Sequence, residues 1–329
     1  MSPIIALASY AASFAIDSES AIQTARHCLI DALARGFEAL EDPGRALLIG
    51  PLVPGALMPG GARVPGTSLE LDPAQAAFCT GVMLCRPGGG DHWLALQCGD
   101  AADSLGAILS IADYQARKAT MEGQPPPKVR DVLSAAVKAL EIQGVLALEG
   151  GHHNSETASI RLARVAATAV VTAQLGGKVG EIAEALSYSC IDGGTATAVD
   201  PERGIERREW ATADAISRAV RHACQAMAAA RSSAATPLHA RNLELAARLL
   251  GPGAWSAPQP FGTRVIEQIA ARRSPQDVVE LTSRFQSAVD RRFPARQAER
   301  IKTLFAAPER LSDLPVNEVL ATLVANGSR

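Results

Sequence analysis

Alanine fills most of the small apolar positions in this chain, and no other feature limits its fold as strongly. The run ASIRLARVAATAVVTAQL from Ala158 to Leu175, and the longer one from Trp210 to Arg231, repeat it in patterns that step by three and four residues. Alanine is the strongest helix former and lets neighbouring helices approach closely, whereas strands draw on β-branched and aromatic side chains. Aromatic residues make up only 4% of this sequence. The expected fold is therefore all-α.

With 329 residues and 47% hydrophobic content, the chain has enough apolar surface for a large core. Thirty-four acids against 32 bases leave a formal charge of -2. No global field then draws the chain to nucleic acid or to an anionic membrane, so the expected partners are small molecules or other proteins. Six cysteines are scattered with no CxxC pair, which predicts reduced thiols and a cytoplasmic protein. The opening MSPIIALASYAASFAID has no basic leader and reaches Asp17 early, so we expect neither a targeting signal nor a membrane span.

Between Ser18 and Leu40 the apolar positions Ile22, Ala25, Leu29, Leu33, Gly36 and Leu40 predict a helix with one buried face. Residues 47–73 place proline or glycine every few positions, which predicts a long ordered connection over the core surface. Helical patterns resume at Pro73–Leu84, Ser104–Ala119, Val129–Leu148, Ala158–Leu175, Val179–Cys190, Trp210–Arg231 and Leu238–Leu250. Ser274 followed by Pro275 marks a further helix start. Short helices are expected at Arg296–Phe305 and Val316–Val324.

The chemically dense stretch is CRPGGGDHWLALQCGDAADSLG, from Cys85 to Gly106. A phosphate cradle would need a lysine after its glycines, and none follows Gly90. Zinc ligation by Cys85, His92 and Cys98 has no finger or ribbon spacing to support it. The plainest local reading is a glycine turn before a helix capped by Asp103 or Ser104, with the cysteines packed as small apolar groups. The neighbouring His152 and His153 read as a pre-helix loop with Asn154 or Ser155 as cap. Within their helices, His27 and His222 read as packed or surface residues.

Longer phrases narrow the alternatives. IGPLVPGALMPGGARVPGTSLELDPAQAAF, ALEIQGVLALE, SYSCIDGG and FPARQAERIKTLF with LPVNEVL together resemble the MmgE/PrpD family in its 2-methylcitrate dehydratase branch, from about Ile22 to Val324. The resemblance implies a large helical domain that dimerises through helices, plus a smaller α+β lid closing over an acidic substrate. Here Pro260–Ala270 resembles the segment that leaves the helical domain, and Arg272–Phe285 already resembles the return. A block on the order of a hundred residues is expected to be missing between them. The chain is thus expected to be a single helical domain over 1–329, with a main body 1–270 and returning helices in 271–329. The junction at Ala271, Arg272 and Arg273 should be a short surface turn.

Set against the family pattern, Gly88 stands where an aspartate is expected, His92 where a threonine is, and Asp100 where a histidine is. Asp91, Trp93, Gly99 and Asp103 keep their types, and Arg208 replaces a lysine. An arginine stays charged near neutrality, whereas a desolvated lysine can exchange a proton. The resemblance thus nominates His92, Asp91, Asp100 and Arg208 as catalytic positions and Arg207, Trp93 and Asp103 as substrate-binding ones. No metal or cofactor is expected. The leading expectation is a lid-less, degenerate homodimer with ordinary hydro-lyase activity lost or changed, which binds or converts a small acidic molecule. The alternatives are an active lyase or isomerase on a polycarboxylate, and a structural subunit pairing with a full-length dehydratase.

Overall fold

A computed structural model describes residues 3–85, 100, 102–149, 156–191, 204–231 and 261–325. The helix expected at Leu238–Leu250 and the segments holding Gly88 to Gly99 and His152 to Ser155 lie outside them. The described chain is a packed array of helices with one short hairpin, as the alanine content implies.

Helix α1, Pro3–Ser13, buries Ile4, Leu7, Ala8 and Ala11 against the later helices. The sequence reading assigned no element there. Helix α2, Glu19–Ala39, starts at Ser18, whose hydroxyl accepts the Ala21 N–H at 3.2 Å, and buries Ile22, Ala25, Leu29, Leu33 and Gly36 as expected. A single turn, α3 at Pro43–Ala46, follows.

The proline- and glycine-rich stretch is an ordered connection over the core, as expected, and carries one short hairpin. Strands β1, Ala62–Arg63, and β2, Glu70–Leu71, pair antiparallel. So short a ribbon is not stable alone. It is pinned from below by α5, Leu105–Met121: Asp113 accepts the Arg63 N–H at 2.8 Å, and Arg117 donates to Gly61 O at 2.7 Å and to Glu70 at 2.9 Å.

The centre is built from α4 (Pro73–Leu84), α5, α6 (Val129–Glu149), α7 (Glu156–Gln174), α8 (Val179–Ile191) and α9 (Gly204–Ala230). Helix α7 packs against α6, α8 and α9, and α4 packs against α5 and α9. Small residues set the spacing. A Cβ on Gly106 would stand 2.8 Å from the Gly81 nitrogen and 2.8 Å from Ile216 Cδ1, so α4, α5 and α9 meet nearly backbone to backbone. Side chains of α7 from Leu162 to Thr172 are buried. Helix α7 spends its apolar surface inside the core, because five helices enclose it.

Helix α10, Arg264–Arg272, is followed after only Arg273 and Ser274 by α11, Pro275–Arg292. The turn is thus shorter than expected, since Ala271 and Arg272 still belong to α10. Ser274 and Asp277 form a reciprocal capping box, with bonds of 3.2 and 2.7 Å. Helix α11 lies on α2, held by Arg284 on Glu38 at 2.7 Å and by Phe37 edge-on to Phe293. Helices α12 (Ala295–Phe305), α13 (Pro308–Asp313) and α14 (Val316–Thr322) close the described chain. No helix among the described residues is long and apolar enough to cross a membrane.

Candidate functional site

Three of the nominated residues come together where α4 ends and α5 and α9 begin. Asp100 and Asp103 precede α5, Arg208 lies on the first turns of α9, and Cys85 closes α4. Asp91, His92 and Trp93 lie outside the described residues. Arg207 is placed on α9 by its backbone, and its side chain is also outside the description. Helix α9 begins at Gly204, six residues before the expected Trp210, so Arg208 and Glu209 sit on a helix and not in a solvated turn.

Asp100 is held through both of its oxygens. Its two carboxylate oxygens accept Arg35 Nη1 at 2.8 Å and Nη2 at 3.3 Å, and Oδ1 also accepts the Ala102 N–H at 2.9 Å. Arg35 is 1% exposed, and its Nε lies 3.1 Å from the Asp31 carboxylate one turn back on α2. This is a two-pronged, buried guanidinium–carboxylate pair of the kind that fixes geometry. Burial raises Asp31 above the ordinary carboxylate value, against the pull of Arg35 and Arg284.

Asp103 accepts the Asp100 N–H at 2.9 Å and Gln143 Nε2 at 3.3 Å. It therefore does not cap α5, and Ser104, at the cap position, makes no capping bond either; the site, not the helix end, takes the carboxylate. Burial raises its proton affinity, while the charge of Arg208 opposes that rise. Cys85 is buried beside them, and burial together with Asp103 and Asp100 holds its thiol well above the usual range, so it stays neutral. On the outer side, Glu209 is buried and accepts Arg45 Nη2 at 2.6 Å.

Sequence reasoning passed over Arg35, Asp31 and Gln143. A signal was present: Asp31 and Arg35 stand four apart on a helix whose neighbouring positions are apolar, and ion pairs on a buried face need partners. The phrase EIQG also has a physical basis. Glu141 accepts the N–H groups of Gly262 and Val265, Gln143 reaches Asp103, and at Gly144 a Cβ would stand 2.8 Å from Val265. His27, read as packed, is driven down to about 4 by burial and by Arg26 and Arg273, and His222 is buried. Among the described residues no group of three histidine, cysteine or acidic side chains could hold a metal ion.

An all-helical domain with a buried acid–arginine network where several helix ends meet is a class that comparison with known proteins makes specific. The MmgE/PrpD N-terminal domain family matches residues 5–252. The chain belongs to the MmgE/PrpD family. It is 43% identical to 2-methylcitrate dehydratase of Salmonella typhimurium over 225 residues, which is 68% of this chain and 46% of that protein. The Escherichia coli K12 2-methylcitrate dehydratase gives 43% identity over 225 residues with the same coverage. The mitochondrial 2-methylcitrate dehydratase of Yarrowia lipolytica is 36% identical over 268 residues, 80% of this chain and 51% of that one. The chain thus spans about half the length of the curated relatives it matches.

Proposed function

We propose that this is a lid-less MmgE/PrpD domain that binds a small acidic molecule and has lost or changed the dehydration of its relatives. The observation that carries the reading is the Arg35–Asp100 pair. A group that exchanges protons with substrate needs a free lone pair within reach. Both oxygens of Asp100 accept from Arg35, and Oδ1 also accepts the Ala102 N–H, which ties the carboxylate to the fold and supports a structural role at the position where the family pattern has histidine. The two-residue link between α10 and α11 supports the absence of an inserted lid. Without a closing domain, water is not expelled and carboxylate contacts weaken in bulk dielectric.

In this reading Arg208 and Asp103 face the ligand, and His92, Asp91, Arg207 and Trp93 are the further site positions that the family pattern nominates, in a cytoplasmic homodimer. The test is a dehydration assay on 2-methylcitrate beside a full-length relative. The expected rate is more than about a hundredfold lower, a barrier difference of about 2.7 kcal/mol. Turnover within that margin would overturn the reading.

A second reading is favoured by Asp103. Its carboxyl is raised by burial and lies in the field of Arg208, as a proton-carrying group in an active lyase or isomerase would be. Formation of product from any polycarboxylate, abolished by Asp103→Asn, would support it.

A further inference from the structure

Helices α12, α13 and α14 surround an open cavity of about 320 Å³. Its lining comes in steps of four residues, so that each pair lies on one face. Arg300 precedes Leu304 on α12, Arg310 precedes Leu314 at the end of α13, and Glu318 precedes Thr322 on α14. In each pair the charged residue is exposed and the one four positions on is buried or half-buried. The cavity therefore has a floor of two leucines and a threonine below a rim that carries both signs.

The walls are fixed from outside. Gln297 of α12 donates to Thr322 O and to Val324 O, each at 2.8 Å, and the Val129 N–H donates to Leu314 O at 3.0 Å. Arg300, Arg310 and Glu318 nevertheless form no ion pair or side-chain hydrogen bond with any described residue. Charges of opposite sign thus share one preformed hollow without neutralising one another.

The cavity is separate from the acid–arginine network. Val129 opens α6, and Gln143, near the far end of that helix, reaches Asp103. At about 1.5 Å of rise per residue, the two lie on the order of 20 Å apart along the helix. Helices α12 to α14 also lie beyond residues 5–252, the span that the family matches.

A ligand that satisfies this rim carries a carboxylate, an ammonium and an apolar body. A polycarboxylate offers nothing to Glu318, and a simple amine offers nothing to the arginines. We propose that the cavity binds a free aliphatic α-amino acid. Arg300 and Arg310 take its carboxylate, Glu318 takes its ammonium, and Leu304 and Leu314 take its side chain. The volume suits so small a ligand, since it falls at the lower end of small-molecule sites, roughly 300–1,000 Å³. The site holds whether or not the domain binds an acid at the other end of α6.

The test is calorimetric titration of the full chain with L-leucine, with isocaproate, which lacks the ammonium, and with isoamylamine, which lacks the carboxylate. Leucine should bind at least about tenfold more tightly than either, and an excess of citrate should not displace it. Arg310→Met and Glu318→Gln should each weaken leucine about tenfold or more without moving the melting temperature, because both residues are exposed. Glu318→Gln should also shrink the preference for leucine over isocaproate, which a merely structural role would not do. Arg296→Met, on α12 but outside the lining, should change nothing. Absence of saturable leucine binding, leucine binding indifferent to both variants, or isocaproate or citrate binding there as tightly as leucine would overturn the proposal.

Discussion

Glu141 of α6 and Val265 of α10 are joined by a 2.7 Å hydrogen bond from the Val265 N–H to the carboxylate. The other oxygen of Glu141 accepts the Gly262 N–H at 3.0 Å, and Tyr10 donates its hydroxyl to Gly262 O at 2.6 Å. The first turn of α10 is thus capped by a residue more than a hundred positions upstream, because Thr263 makes no side-chain cap. Glu141→Gln leaves one oxygen for two donors. It should cost about 1–3 kcal/mol, the loss of a buried charge-assisted bond. Urea unfolding would measure it, and an unchanged midpoint would show that the cap is dispensable.

Asp113 gives the stability a pH dependence of definite sign. Its carboxyl is pushed up to about 6, chiefly by burial, from an ordinary value of 3.8. The folded chain then binds this proton more tightly than the unfolded chain. The contribution is fully present below the ordinary value and is lost as pH rises through about 6, by at most about 3 kcal/mol. Asp113→Asn keeps an acceptor for the Arg63 N–H and removes the titration. Stability measured from pH 4 to 7 should therefore fall less steeply in the variant, and identical slopes would refute the assignment.

Asp100→Asn separates structure from chemistry at the site. Leaving Arg35 with a neutral partner in a buried setting should cost about 3–5 kcal/mol. Citrate affinity, measured at a temperature where the variant is folded, should change less than tenfold. A stable variant that has lost its ligand would instead place Asp100 among the binding groups.

For assembly, the expected two-fold dimer needs an apolar face, and α7 does not offer one. Leu47 and Leu52 are 88% and 86% exposed, with Leu48, Val53 and Leu57 also exposed beside them. That many large apolar side chains left wet on one surface connection make it the candidate dimer face. The double substitution Leu47→Asp with Leu52→Asp should convert a dimer to a monomer in light scattering at micromolar concentration. A monomeric parent, or a dimeric variant, would overturn this placement.

The helices were legible where apolar spacing and a local cap coincide, as in α2 with Ser18 and α11 with Ser274 and Pro275. Three features were not. Helix α1 has too few polar residues to show a face, since PIIALASYAAS is nearly apolar all round and its order comes from docking. The hairpin at 62–71 depends on Asp113 and Arg117, which lie some fifty residues away in sequence. At the site, the types and rough grouping of Asp100, Asp103 and Arg208 could be read from the resemblance. The capture of Asp100 by Arg35 could not, because a pairing across 65 positions leaves no local pattern.

The link of Arg273 and Ser274 has a consequence for how such chains change over time. Helix α10 receives its cap from Glu141 at the far end, and its last turn is closed by the Arg273 N–H on Ile269 and Ala270. Helix α11 begins with its own reciprocal cap at Ser274 and Asp277. Each helix is complete without its neighbour, so a segment of any length can enter or leave between those two residues without orphaning a backbone group. The seam makes the helical body and whatever is spliced into it separable units of inheritance.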